Sequence, residues 1–219
     1  QESPLRFKDF RTELEQMARH PNQKYFVYKS IVVNNLYGVD LMAEATEIAK
    51  LRLFLKLVAQ VDDVTKLEPL PDIDFNIRAG NTLVGFANRE QVRQALEYDG
   101  SGGRGEKGEV QMQFIDTVQS ERLLEIDADA EAIDRLFKRF RRLQTTHDTS
   151  GLSEDFDEAK EELKRRLTLL GERLNRLLAQ QYGIDPDNPE YEGWRSSHQP
   201  FHWFVEFYGM LKAGGFDVI

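Results

Sequence analysis

The sequence predicts an α/β core interrupted by a large, mainly helical insertion, and three observations carry that reading. Short apolar runs flank a helix-like pattern between residues 34 and 86, in the order strand, helix, strand. A glycine-rich stretch then changes the composition, and two long amphipathic patterns follow it. Aromatic residues and a last β-like run return only after residue 200. The chain divides accordingly into a partial α/β core at 1–86, a helical insertion at 87–200 and a return to the core at 201–219.

Taken in order, residues 5–19 place Phe7, Phe10, Leu14 and Met17 on one helical stripe. The segment YKSIVVNN can finish a second helix. LYGVDL reads as a short strand ending in Asp40, and Ala43 to Ala59 as a helix. That helix is apolar on most faces, which predicts cover on both sides, as in an α/β layer. In PLPDIDFNIRAGNTL, two prolines hold an extended entry, and the alternation of Ile73, Phe75 and Ile77 predicts a second strand closed by a polar Gly80-Asn81 turn. Strand, helix and strand in this order predict a right-handed parallel unit.

YDGSGGRGEKGE has five glycines and no core-forming residue, so it predicts a flexible loop near 99–108. Ile133, Leu136, Phe137, Phe140 and Leu143 then form one helical face. Phe156, Leu163, Leu167, Leu170, Leu174 and Leu177 form another at near-heptad spacing, with Ser153 as its N-cap. Each stripe needs a partner, which predicts an antiparallel hairpin. Gly183 suits the C-cap, and Pro186 and Pro189 argue against helix beyond it. PFHWFVEFYGMLKAGG predicts one aromatic-rich helix, and FDVI a final strand. That strand has no cap or polar tail after it, so a fragment of a longer protein is expected.

Composition narrows the function. Of 219 residues, 29 are Lys or Arg and 38 Asp or Glu, a net charge of -9. That balance disfavours nucleic acid except at a local basic patch. There is no cysteine, which excludes disulfides and thiolate metal sites. No apolar run approaches the roughly 20 residues needed to cross a bilayer, and the start has no signal-peptide core. A cytoplasmic protein is expected.

Asp40 is the leading site candidate. Ligands of open parallel sheets bind outside the carboxyl ends of strands, where a carboxylate can accept both hydroxyls of a ribose. The alternative is a cap for the helix near Ala43. Asn81 can meet the edge of an adenine ring, or can simply belong to a turn. Arg135, Lys138, Arg139, Arg141 and Arg142 can follow DNA phosphates, or form a solvated face of intrahelix ion pairs. His198 and His202 have a zinc-like spacing, but Pro200 lies between them and no third ligand is near. Phe201, Trp203, Phe204, Phe207 and Tyr208 read as core, with a base-stacking platform as the alternative.

IVVNNLYGVDLMAEATEIAKLRLFLKLV, PLPDIDFNIRAGNTLVG and SSHQPFHWFVEFYGMLKAGGFDVI, in this order, resemble the adenine-specific DNA methyltransferases of bacterial restriction-modification systems, especially the large gamma-type enzymes that include methylase–endonuclease fusions. The resemblance implies a partial Rossmann-like core that binds S-adenosylmethionine. It implies that Asp40 holds the cofactor ribose and Leu41 flanks its adenine. It further implies that Asn81 contacts the adenine amino group, with Thr82 and Leu83 beside it. GGFDVI resembles the strand leading to the family's catalytic Asn-Pro-Pro-Tyr turn. Neither that turn nor the glycine-rich first-strand motif is among these residues, so no catalytic residue is assigned and the chain alone is expected to be inactive. Double-stranded DNA is the implied partner. Two other readings stay open: a noncatalytic helical interaction module, and a methyltransferase acting on RNA or protein. Self-association through exposed sheet edges or the leucine stripe is a further expectation.

Overall fold

The computed structural model describes residues 8–63, 65, 68–97, 109–145 and 152–219. Phe7, the glycine-rich loop and the side chains of Phe10 and Ser153 lie outside the described residues. No described helix is long and apolar enough to cross a membrane. The chain forms two units, Gln1–Arg78 and Ala79–Ile219.

In the first unit, α1 (Lys8–Arg19) and α2 (Gln23–Asn34) precede β1 (Gly38–Asp40), α3 (Ala43–Val58) and β2 (Ile77–Ala79). The two strands pair in parallel across α3, giving the expected strand–helix–strand unit in short form. Tyr25, Val32, Leu57, Ile73 and Ile77 form the buried cluster, with Ala49, Leu53, Phe54 and Val61 packed against it.

Side-chain amides set this geometry. Asn76 is 2% exposed, and its Nδ2 faces the carbonyls of Val32, Val33 and Leu36 at 3.3, 3.0 and 3.0 Å. These acceptors include carbonyls that the end of α2 leaves without a helical donor. The Asn76 carbonyl in turn accepts the Gly38 N–H at 2.9 Å, so one residue joins the end of α2 to the start of β1. Asn22 does the same at the other end, where its Oδ1 accepts the Asp62 and Asp63 N–H groups at 3.1 and 2.9 Å.

Two expectations need correction here. Ile73, Phe75 and Ile77 do not alternate along a strand. The chain turns at Ile73–Asn76, with the Asn76 and Ile77 amides donating to the Ile73 carbonyl at 3.0 Å each, and the strand starts only at Ile77. A turn buries Phe75, Asn76 and Ile77 in succession, which period-two reasoning does not anticipate. Nor is α3 covered on both sides: Ile48, Leu51, Leu55 and Val58 are about half exposed or more. Its packing partners here, α2 and β1, do not reach that face.

The second unit contains α4 (Arg89–Glu97), α5 (Glu109–Thr145), α6 (Leu152–Gln181), α7 (Glu190–His198), α8 (Trp203–Glu206) and α9 (Tyr208–Lys212). Phe140 stacks on Phe156 at 4.9 Å, and Arg173 pairs with Glu125 at 2.8 Å, so α5 and α6 run antiparallel as expected. Leu163, Leu167, Leu170 and Leu174 are buried in this hairpin. The leucine stripe is therefore covered within the chain and is not a free surface for self-association. Val92 and Ala95 of α4 are buried, and the helix packs on both long helices.

Gly183 has φ +74 and ends α6 as a left-handed C-cap. The proline segment does not stay irregular, because α7 begins directly after Pro189, where a helix start tolerates proline. The aromatic helix is two short pieces that break at Phe207. Phe216–Ile219 forms no strand, since a strand needs a neighbour to pair with and none runs beside it among the described residues.

The role of Asn76 is testable. Asn76→Leu is expected to lower the unfolding free energy by about 1–3 kcal/mol, because buried carbonyls lose their donor. Asp74→Asn, at the half-exposed carboxylate of the Lys50 pair, should change it by less than about 1 kcal/mol. Urea denaturation measures both, and an unchanged midpoint for Asn76→Leu would sink the argument.

Candidate cofactor-binding turns

Asp40 ends β1 and is exposed. Its Oδ1 accepts the Met42 N–H at 2.8 Å, which shapes the turn into α3. The helix N-cap itself is Met42, with no side-chain cap bond, so Asp40 makes an Asx-type turn one step earlier. Asp40 makes no other hydrogen bond among the described residues, which leaves Oδ2 as an open acceptor at the strand end. Leu41 and Met42 beside it are more than half exposed.

Asn81 lies in the second unit, just after β2. Its Oδ1 accepts the Leu83 N–H at 3.1 Å, which orients the amide and leaves Nδ2 as donor. Leu83 is 92% exposed and Thr82 is exposed. This turn is held from far along the chain. The Asn81 N–H donates to the Gln199 carbonyl at 2.8 Å, and the Phe201 and Phe204 N–H groups donate to Val84 and Phe86 at 2.7 and 3.1 Å. Asn81 and Pro200 form a parallel bridge. The approach is close enough to require glycine: a Cβ on Gly85 would sit 2.2 Å from the Phe201 carbonyl oxygen. Gln199, at φ 45, turns the chain from the end of α7 into this contact.

His202 fastens the same turn. It is 4% exposed and stacks on Phe86 with ring centroids 5.2 Å apart. Its Nδ1 accepts the Phe86 N–H at 3.1 Å, so Nε2 carries the proton and donates to Asn175 Oδ1 on α6 at 2.9 Å. Burial pushes the imidazole down from its ordinary 6.5 to about 3, so it is neutral. Both ring nitrogens are engaged, which removes His202 from any zinc pair with His198. Among the described residues no group of three or more His, Cys, Asp or Glu side chains could hold a metal ion.

The basic segment on α5 is partly committed. Lys138 pairs with Asp134 at 2.6 Å, and the Arg141 guanidinium lies 5.1 Å from the Phe137 ring centre. Arg135, Arg139 and Arg142 are exposed. Phe201, Phe204 and Phe207 are buried, with Trp203 and Tyr208 half-buried beside them, so these aromatics form core.

A family model described as Eco57I restriction-modification methylase matches residues 34–219. The chain belongs to this family. A protein of Methanocaldococcus jannaschii, described provisionally as a type II restriction enzyme and methyltransferase, is 29% identical over 224 residues covering 88% of the chain. The chain spans 18% of that relative's length. No solved structure gives a significant match.

For an Eco57I-type methylase, a bound nucleoside needs an acceptor for its ribose hydroxyls and a donor–acceptor edge for its base. Taken separately, the Asp40 turn offers an open carboxylate oxygen beside the exposed Leu41, and the Asn81 turn offers an amide edge beside the exposed Leu83. Each turn, taken by itself, has the chemistry to contact one part of a nucleoside. Sequence reasoning named these residues, weighed His202 only as half of a zinc pair, and missed Asn175 and Gly85. The only signal was the pair of glycines bracketing Asn81, which marks a close backbone approach without naming what approaches.

The buried imidazole has a pH signature. The folded chain keeps His202 neutral down to about pH 3, whereas the unfolded chain takes up a proton near 6.5. The unfolded state binds the extra proton between these values, so the His202 contribution falls as pH falls through that window. The stability advantage of the native chain over His202→Phe should therefore shrink from pH 6.5 toward 3, as measured by urea unfolding across pH. A constant difference would refute a neutral buried His202.

Proposed function

We propose that the protein carrying this chain is an S-adenosylmethionine-dependent DNA methyltransferase that modifies the exocyclic amino group of adenine in a cytoplasmic restriction-modification or phage-defence system. The cofactor supplies the methyl group, and this chain supplies part of its binding surface. Asp40 carries the reading. It stands exposed at the end of a parallel strand with one carboxylate oxygen shaping the local turn and the other open, as a ribose contact requires. Asn81 is the proposed contact to the cofactor's adenine, with Thr82 and Leu83 beside it and Leu41 flanking the ring. An amide with Oδ1 already accepting one N–H still offers its second lone pair and Nδ2, the pattern that matches an adenine amino group and ring nitrogen.

The chain has no Asn-Pro-Pro-Tyr sequence, so alone it is proposed to be catalytically inactive. The burial of the leucine stripe within the hairpin disfavours a general protein-interaction module, and no observation favours RNA or protein as substrate.

In the full-length protein, Asp40→Ala should weaken cofactor binding roughly tenfold or more, the effect of losing charge-assisted hydrogen bonds. Asp40→Asn keeps an acceptor for the Met42 amide and should lose part of that affinity with unchanged folding. Isothermal titration with S-adenosylmethionine decides it, and equal affinity in all three proteins would overturn the assignment. Methyl transfer to DNA by the 219-residue chain alone would overturn the proposed inactivity.

For DNA, Arg135, Lys138, Arg139, Arg141 and Arg142 are the proposed phosphate contacts, with the Asp134 pair of Lys138 and the Phe137 contact of Arg141 competing with that role. Reversing the charge of Arg139 and Arg142 together should flatten the dependence of log affinity on log salt, by about 0.9 for each phosphate that is no longer neutralised. An unchanged slope would leave the helix a solvated face.

A further inference from the structure

We propose that His202, braced by Asn175, is a positioning residue for the Asn81–Leu83 turn, so that the helical hairpin takes part in holding the cofactor-side turn in shape. The proposal rests on the reading of Asn81 as a cofactor contact.

Local bonds hold this turn only in part, and its local main-chain bond runs from the Val84 N–H to the Asn81 carbonyl at 3.1 Å. Its own side-chain tie is the Asn81–Leu83 bond, and Gly80 and Gly85 widen the backbone's conformational choice on either side. What restricts it is the Gln199–Phe204 segment, through three backbone hydrogen bonds and the indole N–H of Trp203, which donates to the Thr82 carbonyl at 3.4 Å. His202 lies at the centre of that segment and alone reaches in two directions. Its Nδ1 receives the Phe86 amide at the end of the turn, and its Nε2 bonds Asn175 on α6. A flat ring that accepts on one side, donates on the other and stacks on Phe86 is a demand few side chains meet. Losing it would free a buried amide and loosen the segment that lies against Gly85, so the Asn81 amide would no longer be held in one orientation. This mechanism acts through the turn, whereas a role only in packing would lower stability without selecting cofactor binding.

The experiment is a double-mutant cycle in the full-length protein, with S-adenosylmethionine as the probe. Calorimetry reads cofactor affinity, and amide hydrogen exchange at Leu83 and Phe86 reads the turn without turnover. Phe86 exchange should speed up in His202→Phe, and cofactor affinity should fall about tenfold, the size of one buried hydrogen bond. His202→Asn, which can place an acceptor near Nδ1, should recover much of both. In an Asn81→Ala background, His202→Phe should cost little further affinity. Additive losses would overturn the proposal and leave His202 a packing residue. A loss in Asn81→Ala with none in His202→Phe would overturn it as well. Unchanged affinity in Asn81→Ala would instead overturn the reading of Asn81, and the proposed cofactor role of His202 with it. Should His202→Phe fail to fold, Asn175→Ala on the half-buried side of the same bond replaces it in the cycle, with the same outcomes deciding.

Discussion

Main-chain polar groups inside a protein must find partners without water, and in each unit of this chain a buried side chain meets that demand at a junction between elements. Asn76 donates its side-chain N–H groups to carbonyls at the end of α2, and its own carbonyl starts the pairing of β1. His202 accepts the Phe86 N–H at Nδ1 and donates its Nε2–H to the Asn175 side-chain oxygen. Removing one partner of such a bond leaves the other group desolvated and empty, which costs about 1–3 kcal/mol. The exposed ion pairs, Glu90 with Arg93 and Glu162 with Arg165, are screened by water and add far less. The shape of each unit is therefore set by a few neutral polar residues and not by the abundant charges that dominate the composition.

This balance explains what the hydrophobic pattern alone could not. In the first unit a small buried cluster lies under α2 and two three-residue strands. So little sheet cannot cover a helix that is apolar on most faces, and Ile48, Leu51, Leu55 and Val58 remain outside. In the second unit the long helices cover each other, because each has one stripe and each stripe faces the other. Hydrophobic periodicity is sufficient where one stripe meets one partner. It fails where a helix has more apolar surface than its neighbours can bury.

What was legible in the sequence follows the same line. The helices α1, α2, α3, α5 and α6, the antiparallel hairpin, the β1 strand and the Gly183 cap were readable because each is specified within its own segment. The turn at Ile73–Asn76 was misread as strand. Its alternation of Ile73, Phe75 and Ile77 is a coincidence of burial, and the decisive residue is the intervening Asn76. α7 was missed because its prolines were read as breakers, although Pro189 stands where a helix begins. The break at Phe207 and the absent final strand depend on tertiary neighbours that no local pattern encodes.

The two proposed cofactor turns differ in the same way. Asp40 shapes its turn through a bond to a residue two positions on, so its geometry is local and the motif Gly38-Val39-Asp40-Leu41 can be read in isolation. Asn81 has a similar local bond to Leu83, but the backbone on either side of it is held by residues more than a hundred positions away. A motif of the first kind keeps its chemistry wherever a strand and a helix meet. A motif of the second kind works only in a chain that also brings Gln199, Phe201 and His202 to it, which ties the return segment and the hairpin to the turn they follow. The α5–α6 hairpin is thus more than an appendage to that turn. Through Asn175 and His202 it supports a turn formed long before it in sequence, and the glycine at 85 is what lets that support come close.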